Sequence, residues 1–443
     1  MERRKQLLLR LLPNRLNSAA AALVAAVASA YAQQPPMLSL QQAEAMALQN
    51  HPQIQAAQHE AAYASQQITI NRAALYPQIT GDGTGSQGNS NGRIGAGTLA
   101  ASRLFDRIGI GVLGTQLISD FGRTQNLVSS ARSQAQASQQ DVQTSRFDVL
   151  LAVNRAYFDV LRSQAVVNVA QKTVETRQAL DTQVTQLAKN DLRSQLDVSF
   201  ADLQVAQAKQ LLLRAQEAVQ EAQAELGTAL GSNQPAIYQL ADEMLPPGPP
   251  ATVDELIAQA VANRPELASL RLSSEAAKSF AEAEKDLSKP TVSAIATVGV
   301  IPAVKQEGAT PIPNEYEGLA ANISVPIFNG HLFAARHNAA VERQLEADQK
   351  IRDEMDRVSR DVRVAWSSSR TAFQLIDVTA QEMSEAELGL NLAQGRYNLQ
   401  LADIVALTTA QLNLTQAQID YQNARYDYQT QYAVLQYTIG QLR

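Results

Sequence analysis

Residues 198–229 read VSFADLQVAQAKQLLLRAQEAVQEAQAELGTA, and two interleaved series run through them. Val198, Val205, Leu212, Val219 and Leu226 recur every seven residues, and Ala201, Ala208, Ala215, Ala222 and Ala229 follow each by three. A strict seven-residue repeat imposes left-handed supercoiling, and alanine at every second position lets a neighbouring helix approach closely. The same register returns at Leu407, Leu414, Tyr421, Tyr428 and Leu435, with Ala410, Ala417 and Ala424 at the small positions. Gln431 and Thr438 end that second series with polar groups.

The two series belong to a duplication that spans most of the chain. Ala156 to Gly231 reads against Ala365 to Gly440, with Ala156-Tyr157 on Ala365-Trp366 and Leu230-Gly231 on Ile439-Gly440. Upstream, Leu40 to Gly83 reads against Val253 to Ala296, with Asn50-His51-Pro52 on Asn263-Arg264-Pro265 and Tyr76-Pro77 on Lys289-Pro290. Internal repetition fixes architecture before any other signal. The reading is a first repeat over 33–231 and a second over 253–443, each a helix, two strands and a long helical hairpin. Residues 232–252 link them, and the linker Leu240 to Ala251, rich in proline at Pro246, Pro247, Pro249 and Pro250, is expected to wrap the outside of the bundle.

Phe121 to Leu187 contains no proline and one glycine, Gly122, and Leu150, Val153, Tyr157 and Leu161 mark a helix face. About 65 residues at 1.5 Å each make a rod of roughly 100 Å. His331 to Gln394 is its counterpart, with Gly389 inside it. Polar turns are expected at Lys189-Asn190-Asp191 and at Tyr397-Asn398. Rods of this length need partners along their whole length, which implies other copies of the chain.

Two regions lose the helical period. Val292, Ala294, Ala296, Val298 and Val300 alternate with Thr291, Ser293, Ile295, Thr297 and Gly299, and after a loop Leu319, Ala321, Ile323, Val325 and Ile327 alternate with Ala320, Asn322, Ser324 and Pro326. Period two with one apolar face predicts strands. The first repeat shows the same more weakly in Gln78 to Thr84 and at Ile108, Ile110 and Val112. Each strand is about ten residues, long enough to cross a bilayer when tilted. Tyr76, Phe121 and Phe328 at the helix-side ends, with Phe105 and Tyr316 near the loop ends, are expected to form interfacial girdles. Four strands cannot close a membrane barrel, so they predict an oligomer, and three chains would supply twelve strands.

Composition supports an envelope protein. A basic region (Arg3, Arg4, Lys5, Arg10, Arg15), an apolar run from Ala19 to Ser29 and Ala30-Tyr31-Ala32 read as a signal peptide over 1–32. Its removal takes five basic groups and one acid from a chain of net charge −6 and leaves −10, which argues against nucleic acid as a partner. There is no cysteine, and aromatics are 5% with the single tryptophan Trp366.

No catalytic or metal constellation is legible, and no enzyme activity, metal or cofactor is expected. His51, His59, His331 and His337 share no ligand spacing. Gly83 to Gly88 matches G-x-G-x-x-G but runs into Asn89-Ser90-Asn91-Gly92 rather than a helix that could hold phosphate. Asp353, Glu354 and Asp356 mix with Arg352, Arg357 and Arg360 as a solvated helix face does.

Asn50-His51-Pro52, Asn263-Arg264-Pro265, Asp120-Phe121-Gly122-Arg123, Pro326-Ile327-Phe328-Asn329-Gly330, Ala156-Tyr157-Phe158-Asp159-Val160-Leu161 and the tip Tyr397-Asn398 through Leu407-Thr408-Thr409-Ala410-Gln411 together resemble the TolC-like outer-membrane efflux protein family. The resemblance covers essentially all of the chain after residue 32. It implies a mainly α fold with a β-barrel portion: duplicated helical hairpins forming a coiled-coil tunnel, and four transmembrane strands per chain completed as a trimeric 12-strand barrel. It also implies a passive outer-membrane export channel, for small molecules or in type I secretion. Its partners would be outer-membrane lipid, a periplasmic adaptor (membrane fusion) protein and an inner-membrane pump of RND, ABC or MFS type. A pore-less periplasmic coiled-coil scaffold is the alternative from another class.

In that family the hairpin tips close the periplasmic entrance. Here the expected basic residue after the second tip is Ala402, and acidic positions further along are Ala406 and Thr409. Asp403 and Asp197 are therefore the gate candidates, and an aspartate beside a turn is equally expected to cap a helix. Asn190, Leu192, Ser194, Leu196, Leu399, Gln400 and Leu401 are the adaptor contacts that the resemblance implies.

Overall fold

The structure, a computed structural model, describes residues 37–86, 93, 94, 102, 103, 107–232, 238–301 and 314–442. The expected leader over 1–32, Phe105 and the polar loop Asn89 to Gly92 lie outside the described residues. In chain order the elements are β1 (Met37–Leu38), α1 (Leu40–Asn50), α2 (Pro52–Ala73), β2 (Gln78–Ser86), β3 (Arg93–Ile94), β4 (Ser102–Arg103), β5 (Arg107–Ser119), α3 (Arg123–Lys189) and α4 (Gln195–Ala229). Then come β6 (Gln239–Leu240), α5 (Asp254–Asn263), α6 (Pro265–Lys285), β7 (Thr291–Val300), β8 (Glu315–Ser324), α7 (Leu332–Asn398) and α8 (Ile404–Thr438). The long helices come in pairs of equal length, 67 residues for α3 and α7 and 35 for α4 and α8.

The chain divides into two compact units. The first comprises residues up to His51, Ala152–Gly248 and Arg370–Ala433. It holds both hairpin turns and the start of the linker. The alanine series of α4 is buried throughout, while Val198, Val205, Leu212 and Val219 are half-buried. Small residues therefore occupy the closest approach, as close packing of neighbouring helices requires. Near the turns, Leu180, Val184, Ala201, Tyr397, Ile404 and Leu407 form a buried cluster drawn from α3, α4, α7 and α8. Deep in this unit the Tyr157 hydroxyl donates to the carbonyls of Leu38 (2.9 Å) and Ala241 (2.6 Å), clasping the parallel pair β1–β6. The Tyr428 hydroxyl holds the linker at the Pro247 carbonyl (2.5 Å), and Gln429 Nε2 holds it at the Glu243 carbonyl (3.0 Å). Neither the short pair nor its clasp is visible in the sequence pattern, because two residues carry no period.

The second unit comprises Pro52–Leu151, Pro249–Ser369 and Val434 onward. Its apolar core gathers Leu256, Ala260, Leu267, Val358, Val362, Ala365, Leu435 and Ile439. Its sheet is antiparallel in the order β2–β5–β7–β8. The register of β5 against β7 shifts between Leu117 and Ser119, a local irregularity at the helix-side end. Gly83 to Ser86 of the glycine-rich motif lie inside β2, and the rest of the motif lies outside the described residues.

Three expectations need correction. β8 begins at Glu315 and stops at Ser324, earlier than the alternation to Ile327 suggests, because Pro326 has no N–H for the ladder. The second hairpin turn is Leu399 to Asp403, since α7 continues through Tyr397 and Asn398. Tyr316 is not part of a lipid-facing girdle. It pairs across the ladder with Gly299, on the opposite face from Val298 and Val300. Tyr76, Phe121 and Phe328 are exposed at the helix-side ends, as expected.

Among the described residues no helix is long and apolar enough to cross a membrane. One face of the sheet is largely apolar, with Glu315 and Glu317 on it at the loop end. Ile110, Val112, Val298, Val300, Leu319 and Ile323 share one face by register, and all are exposed, Leu319 at 84%.

Candidate functional site: the hairpin tips

Both hairpin turns end in the same backbone device. At the first, Asp191 takes a left-handed conformation (φ 57°), its N–H donates to the Ala188 carbonyl and the Leu192 N–H reaches back to Leu187. At the second, Gln400 (φ 58°) donates to Tyr397, and Leu401 N–H donates to Arg396. This double closure satisfies the last carbonyls of a helix. It turns the following residues outward. Leu192, Leu196, Leu399 and Leu401 are all more than half exposed. The Asn190 side chain donates to the Gln186 carbonyl at 2.8 Å and helps end α3.

The next helices start with caps. Ser194 accepts from the Asp197 N–H at 3.2 Å, and Asp197 Oδ2 accepts from the Ser194 N–H at 3.0 Å, a reciprocal capping box. Asp403 occupies the repeat position of Ser194 and its Oδ1 accepts from the Ala406 N–H at 2.9 Å. Both gate candidates thus hold helix starts. Asp403 is exposed and Asp197 half-buried. Among the described residues neither makes an ion pair.

A pair that the sequence reading missed joins the two tips. The Arg193 guanidinium lies 4.2 Å from the centre of the Tyr397 ring and donates to the Tyr397 carbonyl at 3.1 Å. Tyr397 is buried, and its hydroxyl has no hydrogen-bond partner. Burial pushes that hydroxyl's pKa above its ordinary value. The Arg193 charge draws it back and the Asp197 charge raises it further. Arg193 and Tyr397 are therefore joined, with Asp197 near enough to act on the Tyr397 hydroxyl, and Asp403 lies on the second tip. The signal was available: Arg193 is the repeat mate of Ala402, the place where a basic residue was sought. Among the described residues no group of three His, Cys, Asp or Glu is arranged to hold a metal ion.

An antiparallel sheet with one exposed, largely apolar face, in a chain built mostly of long paired helices, defines a mainly α protein with membrane-type strands. Comparison with known proteins makes this specific. The family model for outer membrane efflux proteins matches residues 43–232 and 256–441, and the chain belongs to that family. It is similar to the outer membrane efflux protein BepC of Brucella suis biovar 1, at 22% identity over 329 residues, 73% of this chain and 68% of that protein. Its fold is similar to a membrane protein from Pseudomonas aeruginosa, with TM-score 0.78, 20% identity, and 90% of this chain and 93% of the other covered. It is likewise similar to the outer membrane protein VceC of Vibrio cholerae, with TM-score 0.77, 19% identity and 90% and 96% covered. As a member of that family the protein resides in the outer membrane.

Proposed function

We propose that three copies close a twelve-stranded barrel and that their helical hairpins carry the duct into the periplasm, from which solutes leave passively through the barrel. One observation carries this reading. Among the described residues the sheet is open, with β2 and β8 as unpaired edges, while one of its faces is exposed and largely apolar. Unpaired strand edges in hydrocarbon leave backbone groups without partners, so such a sheet needs further copies to close. A pore-less scaffold gives that apolar face no role.

The tips are the proposed entrance. Arg193 ties the second tip to the first through Tyr397, with Asp197 beside them and Asp403 on the neighbouring turn. The exposed leucines Leu192, Leu196, Leu399 and Leu401, with Asn190, Ser194 and Gln400, form the proposed surface for a periplasmic adaptor protein. An inner-membrane pump of RND, ABC or MFS type would drive transport. The test is conductance of the purified protein in planar bilayers. Steady, small unitary currents that grow when Arg193 is replaced by alanine are expected, and a protein that never conducts would overturn the reading.

A further inference from the structure

The register of the four strands sorts their side chains onto two faces. Opposite the apolar face lie Gln78, Thr80, Asp82 and Thr84 of β2, Gly109, Gly111 and Thr115 of β5, Ser293, Thr297 and Gly299 of β7, and Tyr316, Gly318 and Asn322 of β8. In a closed barrel with the apolar face toward lipid, this face lines the lumen. Among its described side chains Asp82 is the one charged group, and it is exposed. No described cation pairs with it.

Asp82 and Tyr316 stand at the two ends of one row. Asp82 is opposite Gly111, Gly111 opposite Gly299, and Gly299 opposite Tyr316. The ring of Tyr316 lies across both glycines. A Cβ on Gly299 would overlap its ring, and a Cβ on Gly111 would overlap its hydroxyl. Glycine weakens a strand interior and marks a close approach. Here the approach is that of the phenol, which spans two strands and ends about 5 Å, one strand spacing, from the strand of Asp82. The row therefore presents a flat aromatic surface and a carboxylate side by side, on a face that also carries Leu113, Leu117, Ile295 and Ala320 and, toward the loop end, Arg107.

We infer that this row is a binding site for organic cations on the lumen wall, one per chain. The inference rests on the trimeric channel reading. A cation is attracted to the face of an aromatic ring within about 6 Å. The Asp82 carboxylate adds charge, Gly109 and Gly318 leave room beside the ring, and Leu113 in the next row offers an apolar contact for the body of the cation. The site would slow or select cationic solutes passing through the barrel and ignore anionic ones.

The probe is phenyltrimethylammonium, titrated against the conductance of purified protein in planar bilayers, with benzenesulfonate as the anionic control. Saturable block by the cation and none by the anion are expected. D82N and Y316L should each weaken block about tenfold, while Y316F, which keeps the ring, should restore it. A conducting trimer of D82N blocked as strongly as the parent would overturn the inference, as would a conducting parent that the cation does not block. If Y316L lowers heat resistance but leaves block intact, Tyr316 only covers its glycines and the inference also falls. Absence of any trimer or conductance in the parent protein would instead sink the channel reading, and this site with it.

Discussion

At the scale of single residues, the duplication is written in backbone conformation. Left-handed residues occur at Phe121 and Gly122, Asp191 and Gly231, and again 209 residues later at Gly330 and His331, Gln400 and Gly440. Two of these positions admit only glycine. A Cβ on Gly231 would meet the His51 Cα at 2.9 Å, and one on Gly440 would meet the Asn263 carbonyl carbon at 3.0 Å. The Leu-Gly and Asn-x-Pro motifs that reveal the repeat are therefore the two sides of one contact. Gly231→Ala or Gly440→Ala should lower the midpoint of heat dissociation, each costing about 1–3 kcal/mol. Gln400→Gly should raise it by about 1 kcal/mol, more than Asp191→Gly, because aspartate tolerates this conformation better. Asp403 separates into two effects. Asp403→Asn keeps a side-chain oxygen for the Ala406 N–H and removes only the charge, whereas Asp403→Ala also loses the cap, worth about 1 kcal/mol. A gate role requires both variants to shift conductance alike. Conductance unchanged in Asp403→Asn would leave Asp403 as a cap alone.

At the scale of elements, periodicity revealed the long helices because their burial repeats. The buried alanines of α4 follow the seven-residue series without exception, and Ala208→Leu should overpack that face by about 1–3 kcal/mol. The strands of the second repeat were legible because apolar side chains recur at every second position along them. The early stop of β8 and the placement of Tyr316 on the face opposite Val298 and Val300 were not, because parity alone does not say where a ladder starts. The clasp by Tyr157 and the link from Arg193 to Tyr397 join residues 84 and 204 positions apart, which no local pattern records. Burial has a pH consequence in α1. Glu44 accepts from Asn154 Nδ2 at 2.6 Å, yet its carboxyl pKa is held above 4.5, first by burial and also by the Glu243 charge, with the Asn154 bond opposing. Its stabilising contribution is full below pH 4.5 and is lost as the pH rises through the elevated value. Glu44→Gln should therefore match the parent in acid and exceed it in heat resistance near neutrality. An equal difference at both pH values would contradict this assignment.

At the scale of the molecule, the deciding property is incompleteness. One chain offers four strands with two open edges, an exposed apolar sheet face, and hairpin helices whose leucines and valines, such as Leu213, Val364, Val378 and Leu388, stay exposed. Exposed apolar patches of this kind mark interfaces with other chains or with lipid. Composition foretold the assembly only indirectly, through rods too long to stand alone. The most direct test is native mass spectrometry of the protein extracted from outer membranes in mild detergent. Three chains bound together, separating on heating into monomers, are expected. A stable single chain under the same conditions would contradict the account.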